Sequence, residues 1–293
     1  MSKSRLLILL LLLICAVIWV EIWQKPCMRV IFFDVGQGDA ILVLFPQGGN
    51  MLIDGGEPIQ GKKVILPYLR KRGIGRIDTV VLTHAHSDHV GGLVEILKVL
   101  PVGLVVESGF PHTTDLYMEF LEIVHEKNIP YVKVSRGQEL TGFSGVKVKF
   151  LNPPGTFLEG RGAVINNNSV VLKLCYGETK FLLCADIERE AEKELLRCDL
   201  AAAVIKVPHH GSRTSSTLEF IEKVNPEVAI ISVGRRNRFG HPYSTTIEKY
   251  GAVGSKVYRT DVDGAIIVSA DGRSCKIRTL LKRKGVVKKV ERD

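Results

Sequence analysis

Ten consecutive residues, Thr83-His84-Ala85-His86-Ser87-Asp88-His89-Val90-Gly91-Gly92, constrain this chain more than any other feature. His84, His86, Asp88 and His89 can all ligate a metal, and they follow directly on an apolar β-type run at Asp78–Thr83. In a loop leaving a strand, His84 and His86 stand two apart and can turn their imidazoles to one side. Asp88 and His89, at the onset of the next helix, turn toward a second point. Two adjacent divalent cations can be fed this way. Neutral imidazoles with a carboxylate suit zinc, manganese or iron. A close pair of such ions activates water and stabilises both the attacking and the leaving oxygen of a displacement. Gly91 and Gly92 keep the helix start open to close backbone approach.

Around this string the pattern is α/β. Short β-type runs at Arg29–Phe33, Ala40–Phe45 and Asn50–Ile53 read as a meander. A helix near Lys62–Arg72, a strand at Thr79–Thr83, a helix near Leu93–Leu100, a strand at Leu104–Val106 and a helix at Asp115–Lys127 follow. A second half repeats the order. Its hairpin strands lie near Ser169–Leu174 and Lys180–Ala185, with a helix at Glu188–Leu196 and a strand at Ala203–Val207. A helix near Ser215–Val224 and a strand at Val228–Ser232 close the series. Two β-then-α halves predict sheets packed face to face with helices outside, an αβ/βα sandwich. The Pro/Gly/Asn-rich stretch Asn152–Asn168 reads as an active-site loop between the halves.

Composition sets the boundaries. The 293 residues, 45% hydrophobic and 24% charged, support one large core and no disordered domain. The net charge of +9 gathers in Arg235, Arg236 and Arg238 and in the C-terminal Lys282, Arg283, Lys284, Lys288, Lys289 and Arg292. Such a surface draws a polyanion, although basic runs also serve simply as solvated faces. The 6 cysteines contain no CxxC pair and no zinc-ribbon spacing, so they predict neither a structural zinc nor a disulfide framework.

Residues Leu6–Val20 are uninterrupted apolar residues behind Lys3 and Arg5, and they predict a membrane-directed segment. The exit, Trp19 to Pro26, has no small-x-small cleavage pattern. The expectation is therefore an uncleaved anchor over residues 1–27, with Trp19 and Trp23 at the interface and the catalytic domain, residues 28–293, outside the cytoplasm.

The chain resembles the metallo-β-lactamase superfamily, and within it the hydrolase domain of the ComEC competence family. The resemblance rests on Phe33-Asp34-Val35-Gly36-Gln37-Gly38-Asp39-Ala40, Leu52-Ile53-Asp54-Gly55-Gly56, the histidine string, Cys184-Ala185-Asp186-Ile187, Val207-Pro208-His209-His210-Gly211-Ser212 and Tyr258-Arg259-Thr260-Asp261-Val262-Asp263-Gly264-Ala265. It implies the four-layer αβ/βα fold of that superfamily and two divalent metal ions, zinc or manganese. The implied ligands are His84, His86, Asp88, His89, Asp186 and one of His209 and His210. The order Pro, spacer, His, Gly favours His210. Asp54, with Asp34 and Gln37, is implied to support the histidine loop. Asp186 is implied to bridge both metals, or alternatively to cap the helix that follows. Many relatives carry a histidine where this chain has Asn166, Asn167, Asn168 and Ser169. Asn168 is the weak substitute, and the change shifts the first site toward oxygen ligands and manganese.

The implied chemistry is phosphodiester cleavage, with Asp88, Asp186 and His241 as the catalytic residues. His241, in Phe239-Gly240-His241-Pro242, reads as a proton donor, a phosphate contact or a loop histidine capping a helix. Arg213, Thr214 and Ser215 are candidates to hold phosphate, with Ser215 equally placed as a helix cap, and Arg235, Arg236 and Arg238 supply a basic track. Single-stranded DNA is the expected substrate, with Phe143, Phe157 or Phe239 as base-stacking or core residues. Two other readings remain. One is a phosphoesterase of cell-envelope polymers such as choline-bearing teichoic acid, and the other a non-catalytic DNA-binding subunit of an uptake complex. With one apolar segment at most, the chain is no transporter by itself, so a role in DNA import requires uptake-channel partners.

Overall fold

The computed structural model describes residues 26–143, 145–160 and 163–281. The apolar segment Leu6–Val20 and the basic tail from Lys282 lie outside the described residues. Among the described residues no helix is long and apolar enough to cross a membrane.

The chain opens with β1 (Met28–Phe32), β2 (Ile41–Leu44) and β3 (Asn50–Ile53), joined in antiparallel register. Period-two alternation explains why they are buried on both faces. Val30 and Phe32 enter one core, Ile31 and Phe33 another on the opposite side. A helical stretch follows as α1 (Pro58–Gln60), a π-turn (Gly61–Ile65) and α2 (Leu66–Lys71). Next come β4 (Ile77–Leu82), α3 (Ser87–Val99), β5 (Val102–Glu107), α4 (Asp115–Glu126) and β6 (Tyr131–Lys133). The strands β3 to β6 are parallel neighbours, joined by helical crossovers.

The second half begins with β7 (Glu139–Leu140) and β8 (Val146–Asn152), then α5 (Val164–Asn167), β9 (Val171–Tyr176) and β10 (Thr179–Leu183). After α6 (Arg189–Leu195) come β11 (Val204–Lys206), a 3-10 turn (Pro208–Gly211), α7 (Leu218–Val224) and β12 (Val228–Ile231). The described chain closes through α8 (Ser244–Ala252), β13 (Lys256–Arg259), α9 (Thr260–Asp263), β14 (Ile266–Ala270) and β15 (Cys275–Thr279).

The first sheet has the order β15-β14-β1-β2-β3-β4-β5-β6 and the second β13-β12-β11-β10-β9-β8-β7. Three separate cores identify the layers. Val30, Phe32, Val81, Phe150, Leu172 and Phe181 pack between the sheets. Val80, Leu93, Leu97 and Phe120 pack the first sheet under α3 and α4, and Ile205, Phe220, Ile231 and Tyr250 pack the second under α7 and α8. The architecture is two sheets face to face with helices outside. The Cys175 and Cys184 thiols remain free, because Cys175 faces Lys180 across the β9–β10 hairpin.

The carboxyl ends of β3, β4, β10, β11 and β12 lie on one edge of the sandwich, and the turns that follow them carry Asp54, the histidine string, Asp186, His210 and Ser232. Open α/β sheets bind ligands at this edge.

Candidate metal centre

Two glycine contacts seat α3 against the end of β3. The Gly55 N–H donates to His89 O at 2.8 Å and the Gly92 N–H to Gly56 O at 2.7 Å. A Cβ at Gly92 would meet Gly55 O at 1.9 Å, and one at Gly55 would meet Leu93 N at 2.4 Å. This contact brings Asp54 under the histidine string. Gly92→Ala is expected to cost about 1–3 kcal/mol or more by overpacking. Its denaturant midpoint should fall together with metal affinity.

Asp54 is buried and accepts three hydrogen bonds: from Thr83 N at 2.8 Å, from Thr83 Oγ1 at 2.7 Å, and with His89 Nδ1 at 2.8 Å. Thr83 Oγ1 also lies 3.1 Å from His84 Nδ1. The carboxylate thereby fixes the orientation of His89 and, through Thr83, that of His84, leaving Nε2 of both rings to face inward. His84 Nε2 lies 3.0 Å from His86 Nδ1.

Asp186 is the common member of the cluster. Its Oδ2 lies 3.4 Å from His89 Nε2, 3.2 Å from His210 Nε2 and 3.9 Å from His209 Nε2. His210 Nε2 is also 3.5 Å from Asp88 Oδ2. His84, His89 and Asp186 offer ligand atoms within 4.8 Å of one another, as do Asp88, His89 and His210. Yet His89 Nε2 and His210 Nε2, both buried, form no hydrogen bond. Buried imidazole nitrogens without a hydrogen bond, converging on carboxylates, are the donor set of a cation, so these residues fit the divalent ions. His84, His86 and Asp186 would hold one ion, and Asp88, His89, His210 and Asp186 the other.

The electrostatics agree. Burial raises the Asp186 carboxyl, but His210, His89 and Lys206 outweigh it and hold the group well below the usual carboxylate range. Burial opposes charge on His210, while Asp186, Asp88 and Asp39 hold its imidazole up at about 9. Burial opposes charge on His89 too, but Asp186, Asp54 and Asp88 raise it well above its ordinary value. His84 is pushed well below its ordinary value, first by burial and then by His89. The acidic groups stay ionised and ready for cations.

Backbone conformation places the second half's ligands. Ala185, His209 and His210 all have positive φ, at 48°, 45° and 53°. The two consecutive left-handed residues at 209 and 210 send only His210 into the cluster, where its Nδ1 lies 2.9 Å from Ser232 O. His209 instead faces the cavity, with Nδ1 3.1 Å from Glu188 Oε1. Glu188, not Asp186, stands at the N-cap of α6, so Asp186 is free to serve both ion positions.

Several expected roles need correction. Asn168 does not face the ions: its Oδ1 accepts from Leu158 N at 2.8 Å, and its Nδ2 donates to Leu158 O and Val164 O, both at 2.9 Å. Its amide organises the active-site loop. Asn166, two residues earlier, lines the cavity. Asp34 is exposed and bonds Gly36 N rather than the histidine loop. Gln37 lines the cavity and accepts from Gly234 N at 3.3 Å, so it braces the arginine loop instead. The Ser215 hydroxyl is buried on Ile187 O at 2.8 Å, and Thr214 Oγ1 sits 2.9 Å from Ser212 Oγ, which leaves both in the turn's own scaffold. Arg235 is spent on Asp261 O, and Arg236 is exposed outside the cavity lining. Only Arg238 of that cluster reaches the cavity, while Arg213 lies over the Tyr243 ring at 5.1 Å.

Two buried residues escape the sequence reading. Asp39 is 1% exposed and Lys206 fully buried, and they form an ion pair. Lys206 Nζ also donates to Ala185 O at 2.8 Å and lies 3.5 Å from Asp186 Oδ1. A lysine inside the apolar run Ala203–Val207 is the signal that marks a buried cation there.

The cluster opens on a cavity of about 750 Å³, lined by His86, Asp88, His112, Asn166, Asp186, His209, Arg238, Phe239 and His241 among others. Burial first, and then His209 and His210, lower His241 to about 4. At neutral pH it is therefore a neutral ring, a hydrogen-bonding group and not a charged proton donor. His241→Ala is expected to lower kcat about tenfold to hundredfold, the worth of one hydrogen bond to a charged group. Its pH–rate profile between about pH 5 and 8 should keep the shape of the parent's, because His241 takes up a proton only as pH falls through about 4.

Comparison with known proteins agrees with this geometry. The metallo-β-lactamase superfamily profile matches residues 33–235. ComE operon protein 3 of Bacillus subtilis is 33% identical over 276 residues, covering 86% of this chain and 35% of that protein. Competence protein ComA of Neisseria gonorrhoeae is 31% identical, covering 81% of this chain and 31% of that protein. The chain thus spans about a third of the length of the curated relatives it matches. Among solved structures, the metallo-β-lactamase fold protein YhfI from Bacillus subtilis superposes with a TM-score of 0.56 at 13% identity, covering 84% of this chain and 100% of that one. That likeness shows the fold. The chain belongs to the metallo-β-lactamase superfamily, as a hydrolase related to competence proteins of the ComEC family.

Proposed function

We infer that this protein is a two-metal phosphodiesterase acting on single-stranded DNA. The observation that carries the reading is Asp186, buried between two histidine groups at the floor of an open cavity that Arg238 borders. The ions, when bound, supply Lewis acidity and an activated water. The chain's own residues supply the rest. Arg238 at the cavity, with Arg213 over the Tyr243 ring, draws a polyanion, and Glu188 holds the His209 ring toward the cavity. His241, neutral, offers a hydrogen bond to a phosphoryl oxygen. Lys206 offsets the buried negative charge behind Asp186.

With Asn168 turned away, His84, His86 and Asp186 would hold the first ion with two imidazoles and a carboxylate, and the lack of a third imidazole favours manganese over zinc there. The same reading places the catalytic domain outside the cytoplasm, anchored by the apolar segment Leu6–Val20, and serving the components of a DNA-uptake channel.

The test is turnover of linear and circular single-stranded DNA beside small phosphodiesters and a phosphocholine ester, titrated with manganese and zinc. Metal-dependent cutting of DNA is expected. Turnover of the small esters with DNA left intact would instead favour a cell-envelope phosphoesterase. Binding of DNA without metal-dependent turnover of any ester would leave a non-catalytic DNA-binding subunit.

A further inference from the structure

The geometry points to a nucleobase-stacking platform at Phe239, a subsite that reads the base next to the scissile phosphate and so restricts the enzyme to unpaired strands. The inference rests on the reading of the substrate as a nucleic acid and deepens it.

Three aromatic residues are candidates, and the structure separates them. Phe143 stacks on Phe45 with ring centroids 4.0 Å apart and packs against the core between the sheets. Phe157 meets Phe110 edge-on at 5.1 Å in the active-site loop. Phe239 alone of the three lines the catalytic cavity, and it is 47% exposed.

An exposed aromatic ring is unremarkable by itself. This one is held by a pre-organised loop. The Asn237 side chain accepts from Phe239 N at 3.1 Å and from His241 N at 3.0 Å, and donates to Gly234 O at 2.9 Å and His241 O at 2.6 Å. Four hydrogen bonds from one amide fix the turn that presents the ring, so little order is lost when a ligand stacks on it.

The surroundings identify the ligand. The Phe239 ring lies near-parallel to His241, 21° apart at 5.7 Å, and His241 stands 6.4 Å from the ion-facing His210. The platform is thus two ring contacts from the reaction centre. The Arg238 guanidinium sits over the Phe239 ring at 5.0 Å, and Arg213 covers Tyr243. The positive charge of Arg238 beside the Phe239 ring repels a second cation, which disfavours a quaternary ammonium such as choline. A planar base, whose phosphate the arginines also attract, fits. In a duplex the base faces are taken by their neighbours, so the platform selects single strands.

The test compares binding of fluorescein-labelled oligothymidylate with that of an abasic oligomer of equal length, by anisotropy, with calcium in place of the catalytic ion. The parent protein is expected to bind the base-bearing strand about tenfold tighter, the scale of one stacked base. Phe239→Ala should erase that preference while leaving abasic affinity unchanged, and Phe239→Trp should restore it. The unchanged abasic affinity and the tryptophan rescue guard against a misfolded variant. Equal binding of the two strands by the parent, a preference that survives Phe239→Ala, or competition by phosphocholine better than by thymidine monophosphate would each overturn the platform. Because the readout is binding, it is independent of turnover. Failure to cut any DNA would remove the nuclease reading and leave the stacking result standing.

Discussion

Asp186→Asn is expected to lower metal-dependent turnover by about three orders of magnitude or more, the several kcal/mol that a properly held ion contributes to a transition state. The substitution keeps the shape of the side chain and removes only its charge. Asp186 offers a ligand atom within 4.8 Å of those of His84 and His89, and its Oδ2 lies 3.2 Å from His210 Nε2, so both ion positions would lose their shared anion at once. Steady-state turnover with metal content measured on the same sample is the check, and an asparagine variant retaining a tenth of the activity would refute the assignment.

The metal-free protein gives a second readout. His210 is held at about 9, against an ordinary 6.5, by Asp186 and its neighbours. A folded value above the unfolded one contributes stability that is fully present below about pH 6.5 and lost as pH rises through about 9. Metal-free parent protein should therefore lose stability across that window. Asp186→Asn, lacking the main partner, should show a flatter dependence.

Lys206→Met is expected to destabilise the fold by about 3–5 kcal/mol, because it leaves the buried Asp39 carboxylate without its counter-charge. For a chain of this length that corresponds to a fall in Tm of roughly 10 °C. Adding Asp39→Asn to the methionine variant should recover at least about 1 kcal/mol, since the uncompensated charge is then gone. A methionine variant as stable as the parent would show that the pair is dispensable.

The parts of the site legible in sequence are the local ones. His84, His86, Asp88 and His89 lie on one turn, so their spacing alone brings them together. What pairs them with Asp186 and His210 is the docking of two sheets, for which the sequence offers only the order of strands. The choice of His210 over His209 depends on successive left-handed residues that no side-chain pattern announces. Asn168 shows the converse: its position matches a ligand's, but its amide is consumed by the backbone of Leu158 and Val164. The helix begins at Ser87, in keeping with Asp88 and His89 at its onset and ahead of the run expected near Leu93, and Gly91 and Gly92 sit within it because they pack closely on Pro58 and Gly55. Strand β8 shows alternating Val146, Val148 and Phe150 between lysines, a pattern that the sequence reading leaves without an element.

The donors to the cations come from both halves of the chain, with His84, His86, Asp88 and His89 behind β4 and Asp186 and His210 behind β10 and β11. A polypeptide released with only its first half shaped cannot retain the pair of ions, whatever its local order. Hydrolytic power therefore belongs to the joined halves, and a product truncated before Asp186 would lack the donors that complete the site.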